Sequence, residues 1–224
     1  MFIVSDLLSL LPSSDSNVAP RPTVGSPAPK DPNDRLNFPL DPPRPIALVF
    51  VRHCGCPFAE DTVHTLLHKV LDDPERYTLA SGSKLQFLIV THAPLTESRE
   101  WFASVLHAAY ESYKPAEGKT KPDSDVIQQH FSLFPQGPSQ SLSKAYGLGS
   151  LPSYSTMFSK GMWAEFSKLK ERGIVNRATA SGSDRWAAHG GCVVDQNGTV
   201  KWIWIADKIE EFGDWEAAVS SLGI

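Results

Sequence analysis

Cys56 stands at a junction where a thiol could act as a nucleophile. A β-branched and aromatic run, Ile46 to Val51, precedes it, and a helical pattern begins directly after it at Pro57. A cysteine at a helix N-terminus meets unpaired backbone N–H groups and the positive end of the helix dipole, which favour the thiolate over the thiol. Pro57 suits the first helical position, because its missing N–H costs nothing there. We therefore predict that Cys56 attacks disulfides, peroxides or electrophilic carbon; the alternative is a buried, inert cysteine.

Three neighbours of Cys56 are further candidates for catalysis. Arg52 could stabilise the thiolate or bind an anionic substrate, and His53 could act as a general base beside the thiol. Successive strand residues point to opposite faces, so Arg52 and His53 are not expected to serve one site equally. Cys54 is either a resolving cysteine, whose disulfide with Cys56 would be strained, or a strand-end cysteine that faces away.

His64 and His68 lie four positions apart on one face of the helix that follows Cys56. This spacing can bind a metal ion. No acidic partner motif accompanies the pair, and both histidines lie two to three turns from the Cys56 end. The sequence therefore predicts no metal site.

The bulk composition excludes several classes of protein. The chain has 224 residues and a net charge of −4, with 21 Lys and Arg scattered among 25 Asp and Glu, so no nucleic-acid footprint is visible. No apolar run approaches the roughly 18 residues that cross a bilayer, so no membrane partner is expected. Three cysteines are too few for a disulfide framework, which favours a reducing, cytoplasmic location.

The prolines divide the chain into two parts. Ten of the 18 prolines lie between Pro12 and Pro45, which excludes a regular helix or a central strand there. We predict an N-terminal arm over residues 1–43, either disordered or laid across the surface of a domain at 44–224. Its first eleven residues are interpreted as a docking segment or short helix, since they lack the basic region of a secretion signal.

Strands and helices alternate along the predicted domain. This order predicts an α/β fold in three layers, with a central mixed sheet and helices on both faces. The expected strands are 46–51, 85–90, 130–134 and a closing hairpin at 192–205; the expected helices are 57–71, 96–113 with Thr96 as its N-cap, 139–146, 155–172 and 213–222.

Three motifs carry a resemblance to a known family. They are Phe50-Val-Arg-His-x-x-Cys56 at the junction, Lys144-Ala-Tyr-Gly-Leu148 before the middle helix, and Gly190-Gly-x-Val-Val-Asp-x-x-Gly198 at the hairpin. Over residues 44–222 the chain resembles the peroxiredoxin-like proteins of the alkyl hydroperoxide reductase/thiol-specific antioxidant superfamily (AhpC/TSA), in the subgroup common in fungi. The resemblance implies a thioredoxin fold and an antioxidant, thiol-dependent oxidoreductase.

The chain departs from this family at two positions. Ala59 replaces the second cysteine of the Cys-x-x-Cys motif, so a dithiol couple within the motif is impossible. His53 stands where typical peroxiredoxins carry the Thr or Ser that holds the peroxide. Both changes leave open a non-redox enzyme, reused in secondary metabolism to act on an electrophilic small molecule. A third alternative is a thioredoxin-fold binding module without catalysis.

The resemblance also implies where a substrate would bind. Gly190 and Gly191 fall where thioredoxins carry the loop that faces the active cysteine, so these glycines, Cys192 and Phe58 are predicted to contact the substrate. Cys192 is alternatively a small core residue that begins a strand. No bound cofactor is expected beyond glutathione as a reductant. The expected partners are a small-molecule substrate and this thiol, and a homodimer is left open.

Overall fold

The computed structural model describes residues 17–151, 160–179 and 183–224. Their strands form a mixed sheet in the order β3-β2-β1-β4-β5. The central strand β1 runs parallel to β2 and antiparallel to β4; β3 extends the parallel half beyond β2, and β5 closes a hairpin with β4. The strands are β1 (Ile46–Phe50), β2 (Gln86–Thr91), β3 (Phe131–Pro135), β4 (Gly190–Val194) and β5 (Val200–Ile205).

Helices follow the strands much as the sequence predicts. A 3₁₀ turn, Pro74–Tyr77, follows the first of them. The predicted docking segment and the first five residues of the helix predicted at 155–172 lie outside the described residues. No helix of the described ranges is long and apolar enough to cross a membrane. The helices are α1 (Pro57–Asp72), α2 (Leu95–Ser112), α3 (Asp125–His130), α4 (Ser141–Ala145), α5 (Lys160–Glu171) and α6 (Trp215–Ser220).

The two faces of the sheet support separate hydrophobic cores. Ala47 and Val49 of β1 point into one core, shared with α1, α2 and α6, and Leu48 and Phe50 point into the other, shared with α4 and α5. This alternation follows from the two-residue repeat of a strand, and both faces of β1 are apolar because both are covered. The predicted three-layer α/β fold, with a mixed sheet and helices on both faces, is confirmed.

The described part of the arm, residues 17–43, packs across the domain. The Ala19 N–H donates to the Lys144 carbonyl at 3.0 Å, and the Ala28 N–H donates to the Gly198 carbonyl at 2.8 Å. Leu36 and Ala28 are buried in the second core. The sequence left open whether the arm is disordered or laid across the surface of the domain, and residues 17–43 are laid across it.

The start of α2 differs from the prediction. Thr96 is not the N-cap: the helix begins at Leu95, after Pro94, and no side chain caps it. Pro94 fixes its own backbone at φ −53°, and the Ser98 N–H donates to the Pro94 carbonyl at 2.9 Å. The prediction of a strand that begins at His130 is also wrong, because His130 ends the short helix α3. The sequence analysis missed this helix because the preceding residues, 114–125, are rich in Lys and Pro.

Candidate active site

Cys56 is the N-cap of α1, as the sequence predicts. Its backbone is extended, with φ −71° and ψ 126°, and its carbonyl accepts from the Glu60 N–H at 3.1 Å, while Pro57 begins the helix. The residue is only 1% exposed, yet it lines a cavity at this end of the helix. A substrate must therefore enter the cavity to meet the sulfur.

Arg52 contacts the sulfur directly. Its Nη1 lies 3.4 Å from Cys56 Sγ and donates to it, and its Nη2 donates to the carbonyl of Arg185. The arginine is 4% exposed, so solvent screens this contact weakly. A guanidinium at this distance stabilises a thiolate over a thiol. The structure thus brings Arg52 into contact with the sulfur of Cys56.

His53 lines the same cavity, which the alternation rule did not predict. The rule fails because β1 ends at Phe50, so the loop that carries Arg52 and His53 no longer alternates between two faces. His53 Nδ1 lies 3.4 Å from the Cys54 carbonyl and 3.4 Å from Thr179 Oγ1. Burial, with the charge of Arg52, lowers the pKa of His53 to about 3. The ring is therefore neutral at physiological pH and can serve as a hydrogen-bonding group.

The cavity beside Cys56 has a volume of about 220 Å³ and an amphipathic lining. Helix α5 supplies an apolar wall, and the chain segments that follow it supply polar groups. The sequence analysis missed three of the lining residues. Asn176 and Arg185 belong to no recognisable motif, and nothing in the sequence distinguishes Trp163 from the other five tryptophans. The lining residues are Arg52, His53, Cys56, Pro57, Phe58, Met162, Trp163, Phe166, Asn176, Arg185 and Ile209.

The other two thiols do not join Cys56 in this cavity. Cys54 is buried in the core shared by α1 and α2, and Cys192 lies across the sheet in the other core, on β4 opposite Leu48. Burial raises the pKa of Cys54 to about 12, although a hydrogen bond to Ser98 offsets part of the effect. Burial likewise raises the pKa of Cys192 to about 12. The structure therefore agrees with the alternative that Cys192 is a small core residue, and not with the prediction that it contacts the substrate.

The two glycines before Cys192 are packing positions. A Cβ on Gly190 would lie 2.4 Å from the Trp204 carbonyl oxygen, and one on Gly191 would lie 2.5 Å from the Trp215 ring. Gly190 borders a neighbouring small cavity that Arg52 and Phe58 also line, whereas Gly191 lines neither. Among the four predicted substrate contacts, the structure therefore brings only Phe58 to the cavity of Cys56.

Residues 172–179, which follow α5, contact both the active-site loop and helix α1. The Arg177 N–H donates to the Gly55 carbonyl at 3.0 Å, and Arg172 Nη1 lies 2.6 Å from Asp61 Oδ1. Gly55 has φ +104°, and a Cβ there would lie 2.8 Å from the Ala178 carbonyl oxygen. Only glycine fits this position, because both the left-handed backbone and the close approach exclude a side chain.

His64 and His68 are placed as the helical spacing predicts, with ring centroids 6.1 Å apart. His68 Nε2 is engaged with the Ala109 carbonyl at 2.8 Å. Within the described residues, no group of three or more His, Cys, Asp and Glu side chains could hold a metal ion.

Comparison with known proteins bears on the fold. No protein-family model and no curated protein matches this sequence. A cysteine-to-serine mutant of peroxiredoxin 6 from Arenicola marina superposes with a TM-score of 0.54 at 9% identity, over 90% of this chain and 72% of that one. A peroxiredoxin-like protein from Aquifex aeolicus matches at a TM-score of 0.48 and 12% identity, over 92% and 89%.

The first of these matches shows that the chain has the thioredoxin-like fold of peroxiredoxins. This confirms the fold that the three sequence motifs implied. At 9% identity the match carries the fold alone. The chemistry has to be argued from the residues around Cys56.

Proposed function

We propose that the protein is a thiol-dependent oxidoreductase in which Cys56 is the nucleophile. The contact between Arg52 Nη1 and Cys56 Sγ carries this proposal, because it places a buried positive charge 3.4 Å from the sulfur. The N-terminus of α1 adds its dipole at the same atom. A sulfur stabilised as the thiolate attacks electrophilic oxygen or sulfur far faster than a protonated thiol does.

The proposed reaction reduces an organic hydroperoxide or a mixed disulfide. The Cys56 thiolate attacks the terminal oxygen of the hydroperoxide, the O–O bond breaks, and the alkoxide leaves as an alcohol after taking a proton. Cys56 is oxidised to the sulfenic acid. A first thiol attacks this sulfur and releases water, leaving a mixed disulfide; a second thiol attacks that disulfide, which restores the Cys56 thiolate and yields the oxidised thiol pair.

The reducing thiol is proposed to come from outside the chain, with glutathione as the candidate. Cys192 lies on the other face of the sheet, and burial holds the thiol of Cys54 protonated within the core. A protonated thiol is a poor nucleophile toward a sulfenic acid. Ala59 stands where a Cys-x-x-Cys motif would have its second cysteine, so the motif supplies no second thiol.

The substrate is proposed to be an organic molecule and not hydrogen peroxide. The cavity of about 220 Å³ holds several groups the size of a water molecule, each of which occupies about 30 Å³ in the liquid. Its apolar wall has Met162, Trp163 and Phe166. Such a wall adds nothing to the binding of hydrogen peroxide, whereas it buries the carbon skeleton of a larger substrate.

A second candidate function is the addition of Cys56 to an electrophilic carbon. His53 favours it, since a neutral imidazole replaces the hydroxyl that would orient a peroxide. In this reaction the thiolate forms a C–S bond with an activated double bond, and the resulting carbanion takes a proton. The same cavity would hold this substrate.

Intact mass spectrometry after brief exposure to cumene hydroperoxide tests the proposal. We expect one added oxygen on Cys56, replaced by one glutathione when glutathione is present, and no gain in Cys56→Ser. The matched control, Cys192→Ser, should behave as the wild type. Rapid adduct formation with an α,β-unsaturated ketone, without oxidation by the hydroperoxide, would replace the redox reaction by addition. A Cys56 that reacts with neither reagent would leave the binding module as the function.

A further inference from the structure

Arg52 and Phe58 separate two cavities at the start of α1. The cavity of Cys56 has a volume of about 220 Å³, and a small cavity of about 10 Å³ lies next to it. Among the described residues that line these cavities, only Arg52 and Phe58 line both. Phe58 is half-buried and packs against both hydrophobic cores, as a residue between two spaces must. The two side chains therefore form the partition between the cavities.

Arg52 is the fixed half of this partition. Its Nη1 donates to Cys56 Sγ at 3.4 Å, and its Nη2 donates to the Arg185 carbonyl. The backbone of Phe58 is also held, because its carbonyl accepts from Thr62 Oγ1 at 2.8 Å. The ring of Phe58 is held by van der Waals contacts alone. It is therefore the part of the partition that a substitution can remove without breaking a hydrogen bond.

The small cavity is lined mainly by aromatic side chains. As it stands, it has room for about one water molecule. Removal of a large apolar side chain from a protein interior can open a space on the order of 150 Å³, which stays dry and binds benzene. Without the ring of Phe58, the two cavities would join into one longer apolar pocket that begins at Cys56. Besides Phe58, the aromatic lining residues are Phe50, Trp204, Phe212 and Trp215.

We propose that Phe58 is a specificity-determining residue, which limits how far an apolar group can extend from the reacting atom of the substrate. Trp163 is 56% exposed on the α5 side of the cavity, so a chain that extends this way stays in contact with solvent. A chain that extends toward the small cavity meets the ring of Phe58. The preferred substrate carries a compact apolar group, and a longer chain gains no further contact. This limit rests on the proposed function, in which Cys56 is the nucleophile.

Alkyl methanethiosulfonates of increasing chain length test this limit. The Cys56 thiolate attacks the sulfur that carries the alkyl group, the S–S bond breaks, methanesulfinate leaves, and a mixed disulfide remains. Dividing each rate constant by that for free glutathione cancels the intrinsic reactivity of the reagent. In the wild type, each methylene that the cavity buries should raise this relative rate by up to about 4-fold, and the rise should stop before the octyl reagent.

Phe58→Ala is the variant that decides the test. Its relative rate for the octyl reagent, divided by that for the ethyl reagent, should exceed the wild-type ratio by about 10-fold or more. This factor corresponds to about two further buried methylenes. Phe58→Leu keeps more of the core packing and tests the same point with less risk to folding; its ratio should lie between those of the wild type and Phe58→Ala.

Phe102→Ala is the matched control, and it should keep the wild-type ratio. It removes a half-buried ring that packs against the core shared by α1 and α2 and lines neither cavity. A wild-type rate that rises up to the octyl reagent would overturn the limit. Unchanged ratios in the Phe58 variants, or an equal change in Phe102→Ala, would overturn the role of Phe58. A Cys56 inert to every reagent would overturn the proposed function, and the limit with it.

Discussion

Arg177 Nη2 lies 3.3 Å from Glu60 Oε1, so a half-exposed guanidinium closes over a carboxylate that is 2% exposed. Glu60 stands one turn after Cys56, and its second oxygen, Oε2, is buried without a partner. Burial raises the pKa of Glu60, and Arg177 offsets part of this rise. The pair therefore links residues 172–179 to α1, the helix that Cys56 begins. Its contribution to stability comes mainly from Glu60, because Glu60 is the buried partner.

Removing Arg177 should destabilise the protein through the carboxylate that it leaves behind. We expect Arg177→Gln to lower the free energy of unfolding at pH 7 by about 1–2 kcal/mol, since Glu60 would then be a buried charge without a cation. Adding Glu60→Gln should recover most of this loss, because the neutral amide removes that charge. Urea denaturation of the two single variants and the double variant measures the coupling. Additive effects within error would show that the pair does not couple.

The three thiols should differ sharply in reactivity. Cys56 should account for the fast labelling by iodoacetamide near neutral pH, since Arg52 and the helix N-terminus act on its sulfur, whereas burial raises the pKa of Cys54 and Cys192 to about 12. Labelling rates of single Cys→Ser variants against pH measure this. Fast labelling that survives in Cys56→Ser would exclude Cys56 as the reactive thiol.

The same variants separate a monothiol mechanism from a dithiol one. Cys56→Ser should abolish turnover of the hydroperoxide, and Cys54→Ser should only weaken it, because Cys54 is buried beside Ser98 and not in the cavity. The measurement is consumption of cumene hydroperoxide with glutathione in excess. Complete loss in both variants would instead indicate an obligatory Cys54–Cys56 couple.

Hydrogen peroxide should oxidise Cys56 slowly. By the resemblance of the sequence, His53 stands where a hydroxyl would orient a peroxide, and its ring contacts the Cys54 carbonyl and Thr179. Losing one preorganised hydrogen bond slows a reaction by about 10²-fold or more. Stopped-flow oxidation should therefore be slow in the wild type and faster in His53→Thr. A wild-type rate in the range of dedicated peroxidases would restore hydrogen peroxide as the substrate.

Stability should fall as the pH decreases from about 6.5 toward 5. Burial lowers the pKa of His64 and His92 to about 4 and that of His53 to about 3, below the ordinary 6.5. In this window the unfolded chain binds protons that the folded chain excludes, so each histidine costs about 1.4 kcal/mol per pH unit. Urea denaturation at pH 7, 6 and 5 measures the slope.

His64→Gln tests this pH dependence without touching the cavity. The variant should reduce the slope by about the contribution of one histidine, because glutamine does not titrate. The matched control is His107→Gln, a residue outside this buried group. A slope that both variants share with the wild type would assign the acid sensitivity to other groups.

The sequence alone determined the place of the candidate nucleophile, Cys56, at the start of a helix. An apolar run that ends at Phe50 and a Cys56-Pro57 step give a strand, a turn and a helix start, because these preferences act between neighbours in the chain. The same local logic predicted the hairpin around Gly198, whose N–H donates to the Asp195 carbonyl at 3.0 Å. It failed at Thr96, where Pro94 had already fixed the helix start.

Only the tertiary structure decided what surrounds the sulfur. Arg185 and Trp163 lie more than a hundred residues from Cys56 in the chain, and the fold brings both to one cavity. The structure also separated Cys192 from Cys56 by the thickness of the sheet, and placed Arg52 and His53 together where a strand rule had set them apart. Local preferences fix where a strand or helix ends, but the side chains that meet in a cavity depend on how distant elements pack.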